Sequence, residues 1–144
     1  MALSSGGGHW TQLTRILPAI EGHDLTLVTV SREYGVHVAP RRVRVIRDVT
    51  RWNKVRWVQT VIQISWLLLR YRPHVVISTG ALPGYFALRL AKMMGIRTIW
   101  LDSIANADEL SMSGQKVGKY ADLWLTQWPH LARPEGPHYA GAVL

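Results

Sequence analysis

Residues 2–10 read ALSSGGGHW, a short apolar segment followed by three glycines and a histidine. Glycines between a strand and a helix let the backbone approach a ligand, and the amino terminus of the helix offers unpaired N–H groups to a phosphate. We therefore predict a strand at residues 2–5, a ligand-binding loop at 6–8 and a helix over 10–17 that ends near Pro18. A tight turn without a ligand is the alternative for this loop.

The rest of the chain alternates in the same way between apolar, β-rich runs and helical patterns. The further predicted strands are residues 24–30, 43–46, 75–78, 97–101 and 123–126, and the further predicted helices are 51–70 and 83–94. Such alternation indicates a parallel sheet covered on both faces. The sequence predicts a single doubly wound, Rossmann-like α/β domain over residues 1–144. Such folds bind ligands at the carboxyl ends of the strands, where the loops SSGGGH, STGALPG and LDSIAN lie.

Composition narrows the class of protein. The chain has 144 residues, of which 48% are hydrophobic and 18% charged, so it can bury one core and is not a disordered protein. It has no cysteine, which excludes a disulfide framework and a thiolate site. The first residues lack the regions of a signal peptide, and the apolar run 61–69 is too short to cross a bilayer.

The formal net charge of +8 indicates an anionic partner, and the cations are concentrated. Residues 41–56 carry seven arginines and lysines and only one acid, Asp48. Tryptophan among such cations is typical of an interfacial membrane helix on anionic lipid. The predicted membrane-contact residues are Arg51, Trp52, Lys54, Arg56 and Trp57. A core-packed helix with a solvated basic end is the alternative, and no nucleic-acid partner is predicted, because no known nucleic-acid-binding motif is present.

His9 directly follows the glycines and is expected at the start of the first helix. The positive end of the helix dipole favours the neutral imidazole there, which can accept a proton from a hydroxyl group. A histidine that only bonds its own loop is an equal alternative. A dinucleotide fingerprint does not fit, because Thr11 stands at the sixth position from Gly6 and no acid closes the second strand.

Two more loops follow predicted strands. Ser78, Thr79 and Gly80 precede a helix and form a second candidate anion site, for which an ordinary turn is equally consistent. Asp102 and Ser103 end the strand 97–101. Asp102 could position a hydroxyl or a base, and a helix cap is the alternative role.

Together, SSGGGHWTQL, VVISTGALPGYFALRLAKMMGI and IWLDSIANADELSMSGQKVGKYADLWLTQWP resemble the amino-terminal half of a GT-B glycosyltransferase. The resemblance is to the split family that contains the membrane-anchoring subunit of the dolichol-pathway N-acetylglucosaminyltransferase and the PssD-type exopolysaccharide proteins, with MurG as a more distant, fused relative. It implies that this chain meets a polyprenyl-diphosphate-linked acceptor on the cytoplasmic face of a membrane. A separate donor-binding subunit would hold most of the UDP-sugar, expected to be UDP-N-acetylglucosamine.

The resemblance implies that the glycine loop and His9 face the acceptor diphosphate and the attacking hydroxyl. It also matches Asp102 and Ser103 to an acidic residue and a serine of the family. With the loop analysis, the predicted catalytic residues are His9 and Asp102. The predicted acceptor- or phosphate-binding residues are Gly6, Gly7, Gly8, Ser78, Thr79, Gly80 and Ser103. No metal or other cofactor is predicted. Asn106 stands where an arginine is usual in the family.

Residues 136–144 match the region with which the family docks its partner subunit. The chain stops where a fused enzyme would continue into a second domain, so the resemblance implies a half-enzyme that is inactive alone. The hydrophobic anchor of eukaryotic members is absent, which leaves peripheral attachment to the basic patch or to the partner. A non-catalytic scaffold for the catalytic subunit and a stand-alone nucleotide-binding Rossmann protein remain as alternatives.

Overall fold

A computed structural model describes residues 1–36, 38, 42–49, 52 and 54–143. The strands are β1 (Ala2–Leu3), β2 (Thr26–Thr29), β3 (Arg42–Val45), β4 (Val75–Ser78), β5 (Arg97–Leu101), β6 (Leu123–Thr126) and β7 (His138–Tyr139). The α-helices are α1 (Gly8–Ile16), α2 (Glu33–Val36), α3 (Lys54–Tyr71), α4 (Ala81–Met93) and α5 (Met112–Val117). The strands form one sheet in the order β3-β2-β1-β4-β5-β6-β7, and every neighbouring pair is parallel. The predicted doubly wound, Rossmann-like fold is thus confirmed.

The two faces of the sheet carry separate cores, because successive strand residues point to opposite sides. Leu3 and Val28 face the side that is covered by α3 and α4, where they join Ile64, Leu68 and Leu88. On the other face, Ala2 and Leu27 pack with Trp10, Leu13 and Leu17, which belong to α1 and the turn after it. β1 has only two residues, yet both are fully buried and it pairs with β2 on one side and β4 on the other.

The order in which the chain adds strands to the sheet reverses between β1 and β4. From β1 the chain builds outward through β2 and β3, and it then returns to start the other half at β4. Folds of this type have their ligand-binding crevice at such a reversal, outside the carboxyl ends of the strands. The loops that follow β1 and β4 lie at this position, and hydrogen bonds join the start of α1 to Thr79 there.

The helices begin slightly earlier than predicted. α1 starts at Gly8 rather than at Trp10, so His9 lies within its first turn, and α4 starts at Ala81 rather than at Pro83. The predicted start of the third helix, at Arg51, falls outside the described residues. The sequence did not predict α2, α5 and β7, because elements of four, six and two residues are too short to show a periodic pattern.

Candidate functional site

The glycine loop is shaped by a tyrosine that the sequence analysis did not identify. Gly7 precedes α1 with a φ of 62°, a conformation that favours glycine, and its N–H donates to the Tyr34 hydroxyl over 2.9 Å. A Cβ on Gly6 would lie 2.6 Å from the same hydroxyl oxygen, so a larger residue would displace the tyrosine ring. Within the described chain no side chain caps α1, so the N–H groups of its first turn have no side-chain acceptor at the N-cap.

His9 is tied to the β4 loop by two reciprocal hydrogen bonds. Its Nδ1 lies 2.9 Å from the Thr79 carbonyl oxygen, and the Thr79 hydroxyl donates to the His9 carbonyl oxygen over 2.7 Å. A carbonyl oxygen can only accept, so Nδ1 carries the proton of this bond. In the neutral imidazole, Nε2 is then the unprotonated nitrogen and can accept a proton.

Gly80 gives the imidazole its space. Its φ is 133°, which only glycine adopts readily, and a Cβ there would lie 2.4 Å from His9 Nδ1. The neighbouring Ser78 is buried, and its hydroxyl oxygen accepts from the Gly80 N–H over 3.3 Å. Ser78 therefore shapes the loop that holds His9, while Thr79 and Gly80 touch His9 itself.

Asp102 is almost completely buried, at 1% exposure, and its carboxylate is occupied within its own loop. It accepts from the Ser111 N–H at 2.9 Å, the Ser111 hydroxyl at 2.6 Å and the indole N–H of Trp100 at 3.2 Å. The side-chain amide of Asn106 approaches it at 3.5 Å. Ser111 in turn caps α5 by accepting from the Gly114 N–H. Through these hydrogen bonds Asp102 holds the loop 102–111 in its conformation.

Ser103 links the β5 loop to α1. Its hydroxyl oxygen accepts from the side-chain amide of Gln12 and from the Ala105 N–H, both at 3.3 Å. Gln12 is buried one turn beyond His9. The structure thus joins the loops after β1, β4 and β5, which the sequence analysis selected separately.

We expect Asp102→Asn to destabilise the fold by about 2–3 kcal/mol, because an amide N–H would replace a carboxylate oxygen that accepts from Ser111 and Trp100. The measurement is urea unfolding followed by circular dichroism. Asp108→Asn is the control, since Asp108 is exposed in the same loop; it should change stability by less than about 0.5 kcal/mol. Equal stability of the two variants would contradict the role of Asp102 in holding this loop.

The basic, tryptophan-rich helix presents an apolar surface to solvent, although not through all the predicted residues. Trp52, Lys54 and Arg56 are exposed, and Arg51 lies outside the described residues. Trp57 is half-buried with its ring 5.7 Å from that of Phe86, so it packs between α3 and α4 rather than on the surface. The membrane contact predicted for Trp57 stays a prediction, and only part of its ring is exposed to make it.

The exposed apolar surface of α3 is a stripe at helical spacing, which we call the α3 stripe. Its members are Val55, Val58, Ile62, Trp66 and Leu69. Beside it, Ile62 and Trp66 line a groove of about 320 Å³ with Arg44 of β3 at its edge. Across residues 1–36, 38, 42–49, 52 and 54–143, no helix combines the length and apolar character needed to cross a bilayer.

In the part of the chain that the structure describes, no three histidine, aspartate or glutamate side chains come close enough together to hold a metal ion. What the crevice offers is instead one oriented imidazole, glycine backbone and the N–H groups of a helix start. This combination suits an anionic ligand that carries a hydroxyl group.

A protein-family profile described as "Oligosaccharide biosynthesis protein Alg14 like" matches residues 23–143. The UDP-N-acetylglucosamine transferase subunit ALG14 of Yarrowia lipolytica is 32% identical over 72 residues, which are 46% of this chain and 33% of that protein. The corresponding subunit of Schizosaccharomyces pombe is 29% identical over 111 residues, which are 65% of this chain and 52% of that protein. The chain therefore spans about half or less of these relatives.

Two solved structures share the fold. MurG of Acinetobacter baumannii superposes with a TM-score of 0.74 at 9% identity, over 98% of this chain and 45% of that protein. The UDP-GlcNAc 2-epimerase of Methanocaldococcus jannaschii gives a TM-score of 0.62 at 15% identity, over 88% of this chain and 39% of that protein. The fold is therefore that of one half of a GT-B protein.

Proposed function

The chain belongs to the Alg14-like family, and from that premise we propose that it is the acceptor-side subunit of a two-component UDP-N-acetylglucosamine transferase. Relatives that carry the name of a UDP-N-acetylglucosamine transferase subunit support the sugar and the division into subunits. The observation that carries the proposal is His9, held by Thr79 in the tautomer that leaves Nε2 as a proton acceptor. It lies at the crevice where folds of this type bind their ligands.

In this proposal His9 is the general base. The proton of the acceptor hydroxyl passes to His9 Nε2 as the hydroxyl oxygen bonds to the anomeric carbon of the donor sugar. The bond between that carbon and the UDP oxygen breaks, and UDP leaves with the electron pair. The Thr79 carbonyl accepts from Nδ1 throughout and steadies the imidazolium that forms.

The acceptor diphosphate would lie at the start of α1. The N–H groups of Gly8 and His9 belong to the uncapped first turn, and the helix dipole adds positive potential there. Gly6 and Gly7 have no side chains, so the diphosphate can come close to the backbone of the loop. Asp102 and Ser103 act in this proposal as positioning residues, because their polar atoms hold the β5 loop against α1.

The subunit would meet the membrane through the α3 stripe. Lys54 and Arg70 are exposed on the same helix, and Arg44 stands at the apolar groove beside it, so cations surround the apolar residues. Such a surface inserts its apolar side chains at headgroup depth while the cations contact anionic lipid. In this proposal the surface makes a peripheral contact with the cytoplasmic face of the membrane.

We expect Trp66→Glu to weaken binding to vesicles that contain phosphatidylglycerol by about tenfold, because it puts a negative charge in the middle of the α3 stripe. Trp66 is 57% exposed, so the change spares the core. Met93→Glu is the matched control, since Met93 is an exposed apolar residue at the end of α4. Vesicle co-sedimentation measures both, and equal loss in the two variants would count against the stripe.

The donor-binding subunit would dock on residues 136–144, of which the described part, 136–143, is called the tail below. His138, Tyr139 and Ala140 are exposed within it. Because the partner would hold most of the UDP-sugar, catalysis would take place in the cleft between the two subunits. The isolated chain is then expected to be inactive.

Ligand binding by the isolated chain tests the acceptor-side assignment. We expect it to bind a polyprenyl-diphosphate-linked N-acetylglucosamine presented in vesicles, and to bind UDP-N-acetylglucosamine weakly. Vesicles with the polyprenyl chain but without the diphosphate are the control for membrane contact alone. Tight binding of the UDP-sugar would instead favour a stand-alone nucleotide-binding protein, and no binding of either ligand would favour a scaffold.

A further inference from the structure

The tail is anchored to the domain at Val143 from two sides. Its N–H donates to the side-chain oxygen of Gln127 over 2.8 Å, and its carbonyl oxygen accepts from the Arg15 guanidinium of α1 at 3.4 Å. The tail therefore touches both the segment after β6 and α1, the helix whose first turn contains His9. The bond to Gln127 is the shorter and the more buried of the two.

Gln127 is a buried amide, at 2% exposure, and it uses both ends of its side chain. While its oxygen accepts from Val143, its nitrogen donates to the Asp102 carbonyl oxygen over 2.8 Å. The orientation of the amide is determined, because the opposite one would set donor against donor at Val143 and acceptor against acceptor at Asp102. A buried amide with an unmatched end costs stability, so the two bonds depend on each other.

The segment after β6 holds the β5 loop at three points. Besides Gln127, the Trp128 indole donates to the Ile104 carbonyl at 2.9 Å and His130 Nε2 bonds the Ala107 carbonyl at 2.6 Å. Of these three residues, Gln127 is the one that the structure also joins to the tail. It is thus the point at which the tail and the β5 loop meet.

We infer that Gln127 is a positioning residue that couples the tail to the candidate site. When the tail is held, Gln127 holds Asp102, and the loop 102–111 keeps Ser103 against Gln12 of α1. A partner subunit that binds the tail would then also hold the loop 102–111 in place beside the crevice. This last step rests on the proposed function, whereas the coupling itself is a property of the chain alone.

Amide hydrogen exchange of the isolated chain, resolved by NMR, tests the coupling. Val143→Pro removes the N–H that Gln127 accepts from, and Val143→Ala is the control that keeps it. We expect the proline variant to speed exchange of the Asn106 and Ser111 amides about three- to tenfold relative to the alanine variant. The Asp122 amide, bonded to the Thr98 carbonyl, should not change. Equal exchange in both variants at Asn106 and Ser111 would overturn the inference.

Gln127→Met provides a second test, because it keeps the length of the side chain and removes both bonds. The thioether cannot donate to the Asp102 carbonyl, so loop exchange should rise again. Both variants should keep the far-UV dichroism of the parent. With the partner subunit present, both variants should lower kcat for sugar transfer by a larger factor than they change the KM for the lipid acceptor. If the parent complex transfers no sugar, the proposed function fails, while the exchange result still decides the coupling.

Discussion

Replacing His9 by alanine is expected to lower kcat for sugar transfer by the assembled complex about 10²- to 10⁴-fold, the usual contribution of a general base. Nε2 of His9 is the proton acceptor in our proposal, and alanine removes it. Folding should be preserved, because His9 is only half-buried at the start of α1. The measurement is steady-state transfer of labelled N-acetylglucosamine to the lipid-linked acceptor.

The control for this variant is His23→Ala. His23 is exposed in the loop before β2, at the amino ends of the strands, and has no part in the proposed chemistry. It should leave kcat within about twofold of the parent. If His9→Ala behaves in the same way, His9 is not the base, and the chain contributes binding without proton transfer.

The second large effect is expected from Gly80→Ala. An added Cβ would lie 2.4 Å from His9 Nδ1, on a residue whose φ is 133°. The imidazole must then move, which breaks its bond to the Thr79 carbonyl and removes the constraint on its tautomer. We expect kcat to fall about 100-fold, because a displaced catalytic group loses its alignment with the acceptor hydroxyl.

Gly22→Ala separates this clash from backbone strain. Gly22 also has a positive φ, 86°, but a Cβ there meets no atom within 4 Å. Both variants should lose thermal stability through strain, of order 1–3 kcal/mol, yet only Gly80→Ala should lose transfer. Equal transfer by the two would contradict the contact between Gly80 and His9 as the reason for the glycine.

The sequence predicted the doubly wound fold because its strands are separated by glycine-rich loops and long helical patterns. Ala2 and Leu3 were predicted as a strand even though β1 is short, since a glycine loop and a helix follow. β7 was not predicted, because two residues in a segment rich in proline and glycine carry no alternation. Long elements are visible in sequence, whereas short ones depend on their neighbours in the sheet.

The candidate site was predicted as separate loops and not as contacts. His9 and Thr79 are 70 positions apart, and they meet because β1 lies next to β4. Strand order is a property of the whole sheet, so no local pattern identifies Thr79 as the partner of His9. Tyr34 was missed because it lies in a helix of four residues beyond β2, which is too short to recognise from the sequence.

The proposed membrane surface shows a different limit of what the sequence can predict. α3 carries apolar residues around most of its circumference, so its sequence does not say which side faces the sheet. In the structure Thr60, Ile64, Leu67 and Leu68 are buried, and this rotation leaves Trp66 exposed and half-buries Trp57. The sequence predicted Trp52 and Trp57, which lie among the cations; Trp52 is exposed, and the rotation of the helix adds Trp66, which the sequence did not single out.

The central claim is that this chain is one half of a transferase, and one measurement tests it most directly. Transfer from radiolabelled UDP-N-acetylglucosamine to membrane lipid extract would be followed with the chain alone and with its candidate donor-binding partner co-expressed. We predict labelled lipid only in the co-expressed sample, with loss of the label when His9 is replaced by alanine. Transfer by the chain alone, or by neither sample, would contradict the account.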